Sequence, residues 1–297
     1  NDMEPMKAAL LMSHGFNDWN VMPEHSYRIY KAAKEKGLPC QIYYHQKGHG
    51  GSPPLSLMNK WFTRYLHGIK NDVEKDPKAW IVREGDKRKK PTSYADYPNP
   101  KAFVVNLFLT DGNPNKGGLT VDNKPTNKTE QLTDNYTVSG KELASNSNSV
   151  NRLIYSTPKL KQDLHLSGEA EVTINLSSSK AATNLSVWLV SLPWQDGKKS
   201  KINNNIITRG WADPQNHQSL TNGEALEPGK FYSVTFKLMP DDQIIPKGQK
   251  IGLMIFASDK EFTLHPKPGT KLTINLDGTE LKLPVVGGKA AFINAIE

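Results

Sequence analysis

Apolar residues change their spacing once along this chain. Ala8-Ala9-Leu10-Leu11-Met12 is a short continuous apolar run that ends in Ser13-His14-Gly15. A run without polar interruption predicts a strand covered on both faces, as in a parallel sheet. Pro23-Glu24 then opens a helical pattern, because proline suits the first helical turn and glutamate favours the positive end of the helix dipole. Tyr27, Tyr30 and Ala33 follow at three-residue spacing, and Gly37 is a natural stop. Gln41-Ile42-Tyr43-Tyr44 predicts a second strand, followed by Gln46-Lys47-Gly48-His49-Gly50-Gly51. A second helix carries Leu57, Trp61, Tyr65 and Leu66 and closes at Gly68. Two consecutive strand–helix units imply a parallel sheet. Two units do not complete such a domain. Further strands are therefore expected ahead of residue 1, and the chain is expected to be the C-terminal portion of a larger protein.

Residues 70–100 are charged and rich in turns, with Pro77, Pro91, Pro98 and Pro100. Trp80-Ile81-Val82 reads as a candidate first strand of a second domain. From about residue 101 the helical period gives way to alternation. Leu164, Leu166, Ala170, Val172, Ile174 and Leu176 share one parity, with mostly polar residues between them. That is the mark of a half-buried strand. Tyr232, Val234, Phe236 and Leu238 repeat it. Leu272, Ile274 and Leu276 do so again before Asp277-Gly278, a hairpin signal, and the run Glu280–Val286. Asp196-Gly197 is a second hairpin candidate. Phe103–Leu109, Leu185–Leu192 and Ile251–Ala257 read as more deeply buried strands. Ser145–Ser149 reads as an exposed loop. Many short strands separated by turns predict a β-sandwich of jelly-roll type.

Composition narrows the possible functions. The 297 residues carry a net charge of +8, but the only dense basic run is Lys87-Arg88-Lys89-Lys90, beside Glu84 and Asp86. A solvated loop accounts for it, so no nucleic-acid partner is expected. No stretch approaches the roughly 18 apolar residues of a membrane span. Asn1-Asp2-Met3-Glu4 lacks the layout of a signal peptide. Cys40 is the single cysteine, which excludes a disulfide within the chain and fits a reducing, cytoplasmic setting. No metal-ligand spacing occurs, and no cofactor is expected.

The candidate chemistry lies at the ends of the two predicted parallel strands, where ligands gather in open α/β sheets. Asp18 sits just past the first strand and His49 in the glycine loop past the second. Parallel connectivity brings them together, and a buried carboxylate there can orient an imidazole and stabilise its protonated form. Taken singly, Asp18 could be a turn acid and His49 an ordinary loop histidine. Their matching positions favour the pair. The order acid-then-histidine is the tail of the α/β-hydrolase order Ser…Asp…His. His45 competes with His49 and ranks second, because it lies on the strand end. His14 and His25 are read as supporting or surface residues. No G-x-S-x-G elbow occurs, and Cys40 falls in the wrong order. The nucleophile and oxyanion hole are therefore expected upstream of residue 1, and the chain alone is expected to lack triad catalysis. Trp188, Trp194 and Trp211 suggest core or interface positions more than a sugar-binding platform. Thr208-Arg209-Gly210-Trp211 is read as a loop, with Arg209 a candidate for pairing across the domain interface.

The string His14–Val21, then Gly48-His49-Gly50, then Ile207–Trp211 and Leu226-Glu227-Pro228-Gly229, resembles the X-prolyl dipeptidyl aminopeptidases, bacterial serine peptidases related to cocaine-esterase-like hydrolases. The resemblance runs over the whole chain as the C-terminal part of such an enzyme. It implies an α/β-plus-all-β fold: residues 1–75 as the C-terminal end of an α/β-hydrolase domain, and residues 76–297 as a jelly-roll-like β-sandwich. It implies a cytoplasmic, metal-free enzyme, usually a homodimer, that releases Xaa-Pro dipeptides from the N-termini of proline-containing peptides. Asp18 would be the triad acid, His49 the base, and Asn20 a residue that helps hold the substrate's free amino end. An acyl esterase or amidase of the same superfamily fits the Asp18–His49 pattern equally well. A non-catalytic carbohydrate-binding sandwich is the reading from a different class.

Overall fold

The computed structural model describes residues 5–83, 90–112, 116–195 and 205–297. The Asp196-Gly197 hairpin signal, most of the Lys87–Lys90 run and the first four residues lie outside that set. The first sheet is built from β1 (Leu10–Gly15), β2 (Cys40–His45), β3 (Ala79–Val82) and β4 (Thr92–Tyr94), in that order. β1, β2 and β3 run parallel, and β4 closes the edge antiparallel to β3. Helix α1 (Pro23–Glu35) joins β1 to β2, and α2 (Leu55–Tyr65) follows β2. Every residue of β2 is buried, as expected for the interior strand of a covered sheet. The three-residue spacing in α1 has the predicted effect: Tyr27, Tyr30 and Ala33 pack into one cluster with Ile42, Tyr44, Ala79 and Ile81. Gly37 ends α1 at φ 71°, a left-handed conformation that glycine adopts without steric cost. α2 buries Trp61 but leaves Leu55, Phe62 and Leu66 exposed, so Leu66 is not on the packed face.

Sheet pairing does not stop at residue 75. Trp80-Ile81-Val82 lies in β3, the third strand of the first sheet, and does not open the second. The physical reason is burial: Ala79 and Ile81 fill the apolar face beside Ile42 and Tyr44.

Beyond residue 100 the chain forms β5 (Ala102–Thr110), β6 (Gly117–Thr120), β7 (Thr129–Thr133), α3 (Gly140–Ser145), β8 (Arg152–Ser156), β9 (Leu164–Gly168) and β10 (Glu171–Ser178). These are followed by β11 (Leu185–Leu192), β12 (Ile206–Ala212), β13 (Phe231–Lys237), β14 (Asp241–Ile245), β15 (Lys250–Phe256), β16 (Lys271–Val286) and α4 (Gly288–Ile296). One hydrogen-bonded path runs β12-β11-β15-β8-β6-β5-β16-β10-β13, with β7, β9 and β14 attached beside it. Leu185, Val187 and Leu253 from one end of that path share a single core with Val172, Ile174 and Leu281 from the other. The path therefore folds over onto itself around one apolar layer.

Four expectations about this region need correction. Asp277-Gly278 is not a hairpin, because β10 pairs with β16 on both sides of it. It is a bulge. Leu272, Ile274 and Leu276 point inward before it, whereas Leu281, Leu283 and Val285 point inward after it, so parity flips. Asp277 secures the bulge by accepting from the backbone amides of Thr126 and Asn127, at 2.6 and 2.9 Å. Phe103–Leu109 is not continuously buried: Phe103 and Val104 are exposed, and only Val105, Leu107 and Leu109 enter the core. The alternation over residues 164–176 is split at Gly168 (φ 127°) into β9 and β10, which have different neighbours on one side. Thr208–Trp211 is strand β12, not loop. Two helices also occur where helical period is weak. α3 is signalled by Ser139 and Glu142, which form a reciprocal capping box. α4 packs Phe292 and Ala295 into the core of the second sheet.

Candidate active site

β1 and β2 end side by side, with Gly15 opposite His45. The chain then turns sharply, the Asp18 amide bonding back to the Gly15 carbonyl at 3.1 Å. This crossing leaves no room for a side chain at Gly15. A Cβ there would lie 2.1 Å from the Lys47 carbonyl oxygen and 2.6 Å from that of Gly48. The acid loop and the histidine loop are thus in backbone contact. Ser13 adds a further tie, donating its hydroxyl to the Gly51 carbonyl at 2.7 Å.

Asp18 is 2% exposed, and its two carboxylate oxygens have separate tasks. Oδ1 accepts from the backbone amides of Asn20 and Val21, each at 3.1 Å. Oδ2 accepts from His49 Nδ1 at 2.9 Å. His14 Nε2 donates to the Val21 carbonyl at 2.8 Å and stands 3.2 Å from Asp18 Oδ2. The Ser26 hydroxyl bonds the other ring nitrogen of His14 at 2.6 Å. Burial pushes the Asp18 carboxyl up, but the hydrogen bonds from Val21, His49 and Asn20, with the His14 charge, outweigh it. The net result holds the carboxyl below the ordinary aspartate value, so it is an anion at neutral pH.

His49 is different. Its side chain is 63% exposed, with Nδ1 turned to the buried acid. That leaves Nε2 to the open side of a cleft of about 200 Å³ lined by Ser13, His14, Asp18, Val21, His49 and Gly51. The arrangement can do one thing well. Asp18 fixes the tautomer with the proton on Nδ1, leaving the Nε2 lone pair to take a proton from a group in the cleft.

The competitor His45 is buried in β2, where its Nδ1 accepts from the Lys47 amide at 3.2 Å, away from the acid. His25 is exposed on α1. Asn20 also stands exposed, at the rim beside Asp18. Cys40 is buried at the opposite end of β2, and burial raises its thiol pKa.

Residues that strand pattern alone did not single out connect this site to the second sheet. Gln46 Nε2 donates to Asp241 Oδ1 (3.2 Å) and to the Asp242 carbonyl (2.9 Å) on β14. Asn17 in turn donates to the Gln46 carbonyl at 3.1 Å. Trp19 meets Trp211 and Phe262 edge-on, with ring centroids 6.3 and 6.2 Å apart. Nearby, Tyr94, Arg83 and His165 converge on the buried Asp242 carboxylate. Nothing in the local sequence pattern pairs residues nearly 200 positions apart.

Comparison with known proteins places this chain in a family. The X-Pro dipeptidyl-peptidase C-terminal non-catalytic domain matches residues 71–293, and the X-Pro dipeptidyl-peptidase S15 family matches residues 1–51. The chain belongs to the X-Pro dipeptidyl-peptidase family. A Rhodopirellula baltica protein, provisionally named Xaa-Pro dipeptidyl-peptidase, is 54% identical over 97% of this chain and 46% of its own length. A Bacillus anthracis protein of the same provisional name is 34% identical over 96% and 46%. The chain thus spans about half the length of the curated relatives it matches. Among solved structures, an aminopeptidase from a marine sediment thaumarchaeon aligns with a TM-score of 0.75 at 14% identity, covering 95% of this chain and 56% of its own. A CocE/NonD family hydrolase from Staphylococcus aureus aligns at 0.73 and 14%, covering 96% and 55%. At that identity these two establish the shared fold and nothing finer.

Proposed function

We propose that this chain supplies the acid and base of a serine exopeptidase that releases Xaa-Pro dipeptides from peptide N-termini. The observation that carries the reading is the buried Asp18 carboxylate, 2.9 Å from Nδ1 of an otherwise exposed His49, in a chain of this family. The serine and the oxyanion hole belong to the part of the relatives that this chain does not span. In the whole enzyme His49 Nε2 takes the serine proton as the hydroxyl attacks the carbonyl that follows proline. Asp18 stabilises the resulting imidazolium. His49 then gives that proton to the leaving amine, and a water molecule repeats the cycle to release the dipeptide. Asn20, exposed beside the acid, is assigned to the substrate's free amino end.

The remaining assignments belong to the same proposal. Residues 1–75 are the end of an α/β-hydrolase catalytic domain. Residues 76–297 are a jelly-roll-like sandwich that lends β3 and β4 to the catalytic sheet. The enzyme works in the cytoplasm, as a homodimer, on proline-containing peptides and without a metal. No helix among the described residues is long and apolar enough to cross a membrane.

The test uses the protein at the length of its relatives. A Gly-Pro chromogenic amide should be cleaved, and blocking its amine should abolish cleavage. Asp18→Asn should lower turnover about 10⁴-fold with the fold retained. Near-normal turnover in that variant removes Asp18 from the triad. Cleavage of a simple phenyl ester without amide cleavage overturns the peptidase reading in favour of an acyl esterase.

A further inference from the structure

The most unusual buried group in the second sheet is Arg209, in the middle of β12. Its residue is 5% exposed, and its Nε and Nη1 atoms are buried with no hydrogen-bond partner among the described residues. A buried guanidinium normally sits against a carboxylate or carbonyl oxygen, because desolvating the charge is costly. The carboxylates of Asp259 and Glu261 act on Arg209 only through space. Asp259 is otherwise engaged: its Oδ2 accepts from the indoles of Trp188 and Trp211, at 3.0 and 3.1 Å.

What surrounds Arg209 instead is aromatic. Its guanidinium carbon lies 4.2 Å from the ring centre of Trp19, 4.4 Å from Trp188 and 5.2 Å from Phe262. Two of those rings come from the second sheet or its loops. The third, Trp19, comes from the acid loop of the first sheet, between Asp18 and Asn20. A cation stacked between two indoles is attracted to both ring faces, most strongly away from water. The loop over residues 16–22 has no regular secondary structure, and Trp19 is its largest side chain. The same turn presents the amides of Asn20 and Val21 to Asp18 Oδ1.

We propose that Arg209 is a positioning residue for the Asp18–His49 pair, acting through Trp19. The domain described as non-catalytic thereby sets the aim of the triad acid. Arg209 holds the Trp19 indole, the indole holds the turn, and the turn holds Oδ1 so that Oδ2 faces His49. The proposal rests on the catalytic reading of Asp18 and His49, and its test separates the two.

The variants are Arg209→Met, which keeps the stem and removes the charge, and Arg209→Lys, which keeps the charge but not the planar stack. In the protein at the length of its relatives, Arg209→Met should lower kcat on the Gly-Pro amide about ten- to a hundredfold. KM should stay within about twofold, because Arg209 contacts no substrate. Arg209→Lys should recover part of the loss. In the 297-residue chain, amide exchange at Asn20 and Val21 should speed up in Arg209→Met while β2 amides stay protected. Wild-type kcat and unchanged exchange at Asn20 and Val21 in folded Arg209→Met would overturn the proposal. If Arg209→Met does not fold, Trp19→Leu takes its place, since it leaves β12 intact. The same kcat loss is then expected, and wild-type kcat overturns the proposal. Asp18→Asn is run in parallel. Full activity there defeats the triad reading, and the exchange measurement still decides whether Arg209 orders the turn.

Discussion

Replacing Gly15 by alanine tests whether the close backbone crossing of the acid and histidine loops sets their register. The added Cβ would lie 2.1 Å from the Lys47 carbonyl oxygen and 2.6 Å from that of Gly48. Neither atom is the end of a flexible side chain, so the loop itself must give way. To reach 3.0 Å from the nearer oxygen it must retreat by about 0.9 Å. His49 is one residue beyond Gly48, so a shift of that size is passed to the imidazole. A misplacement of about 1 Å at a reacting group can cost on the order of 10²-fold in rate. Overpacking of a tight contact costs about 1–3 kcal/mol of stability. For a unit of this size that corresponds to a fall in Tm of roughly 2–4 °C per kcal/mol. The assays are thermal unfolding of the 297-residue chain and kcat of the protein at the length of its relatives. The expected result is a modest fall in Tm with a large fall in kcat. Wild-type Tm and kcat together would refute the argument that this crossing sets the site, and a collapse of the fold would show that the contact serves stability first.

Two further outcomes follow from the same geometry. Because the folded Asp18 carboxyl titrates below its ordinary value, its contribution to stability is present above about pH 4 and is lost as pH falls through the folded value. The stability difference between the wild-type chain and Asp18→Asn, followed by urea unfolding, should therefore shrink on acidification below that point; a constant difference contradicts the assignment. Asp259→Ala strands the buried indole donor of Trp188 and removes the partner of the half-buried Trp211 indole. A loss of about 1–3 kcal/mol for the stranded Trp188 donor is expected by denaturant unfolding, and a change under about 0.5 kcal/mol would show that the carboxylate is not what satisfies that indole.

Much of the first sheet was legible from spacing. β1, α1 and β2 form within two or three residues of where the apolar pattern sets them, because each satisfies its backbone locally or with its chain neighbour. The Asp18–His49 pair was legible for the same reason: parallel connectivity alone brings the ends of β1 and β2 together. The second sheet was legible only as a class. Alternation marks which residues face inward, yet it does not say which strands pair, and Asp277-Gly278 carries the same local signal whether it turns a hairpin or bulges within one strand. The choice was made by β10, which lies along both halves of β16. Phe103 and Val104 show the converse, since apolar residues stay exposed where no layer covers them.

The sequence by itself determined the strand–helix order, the alternation of the β-rich region and the residue types at the two strand ends. Those are short-range properties, set by backbone sterics and by the period of apolar side chains. Only the tertiary structure decided that β3 and β4 join the first sheet, that Gln46 reaches Asp241, and that Arg209 stacks on Trp19. The β2–β3 pairing and the two contacts between the sheets join residues 37 to nearly 200 positions apart. The two contacts between the sheets bury surfaces that meet only after both sheets have formed, so no local pattern encodes them.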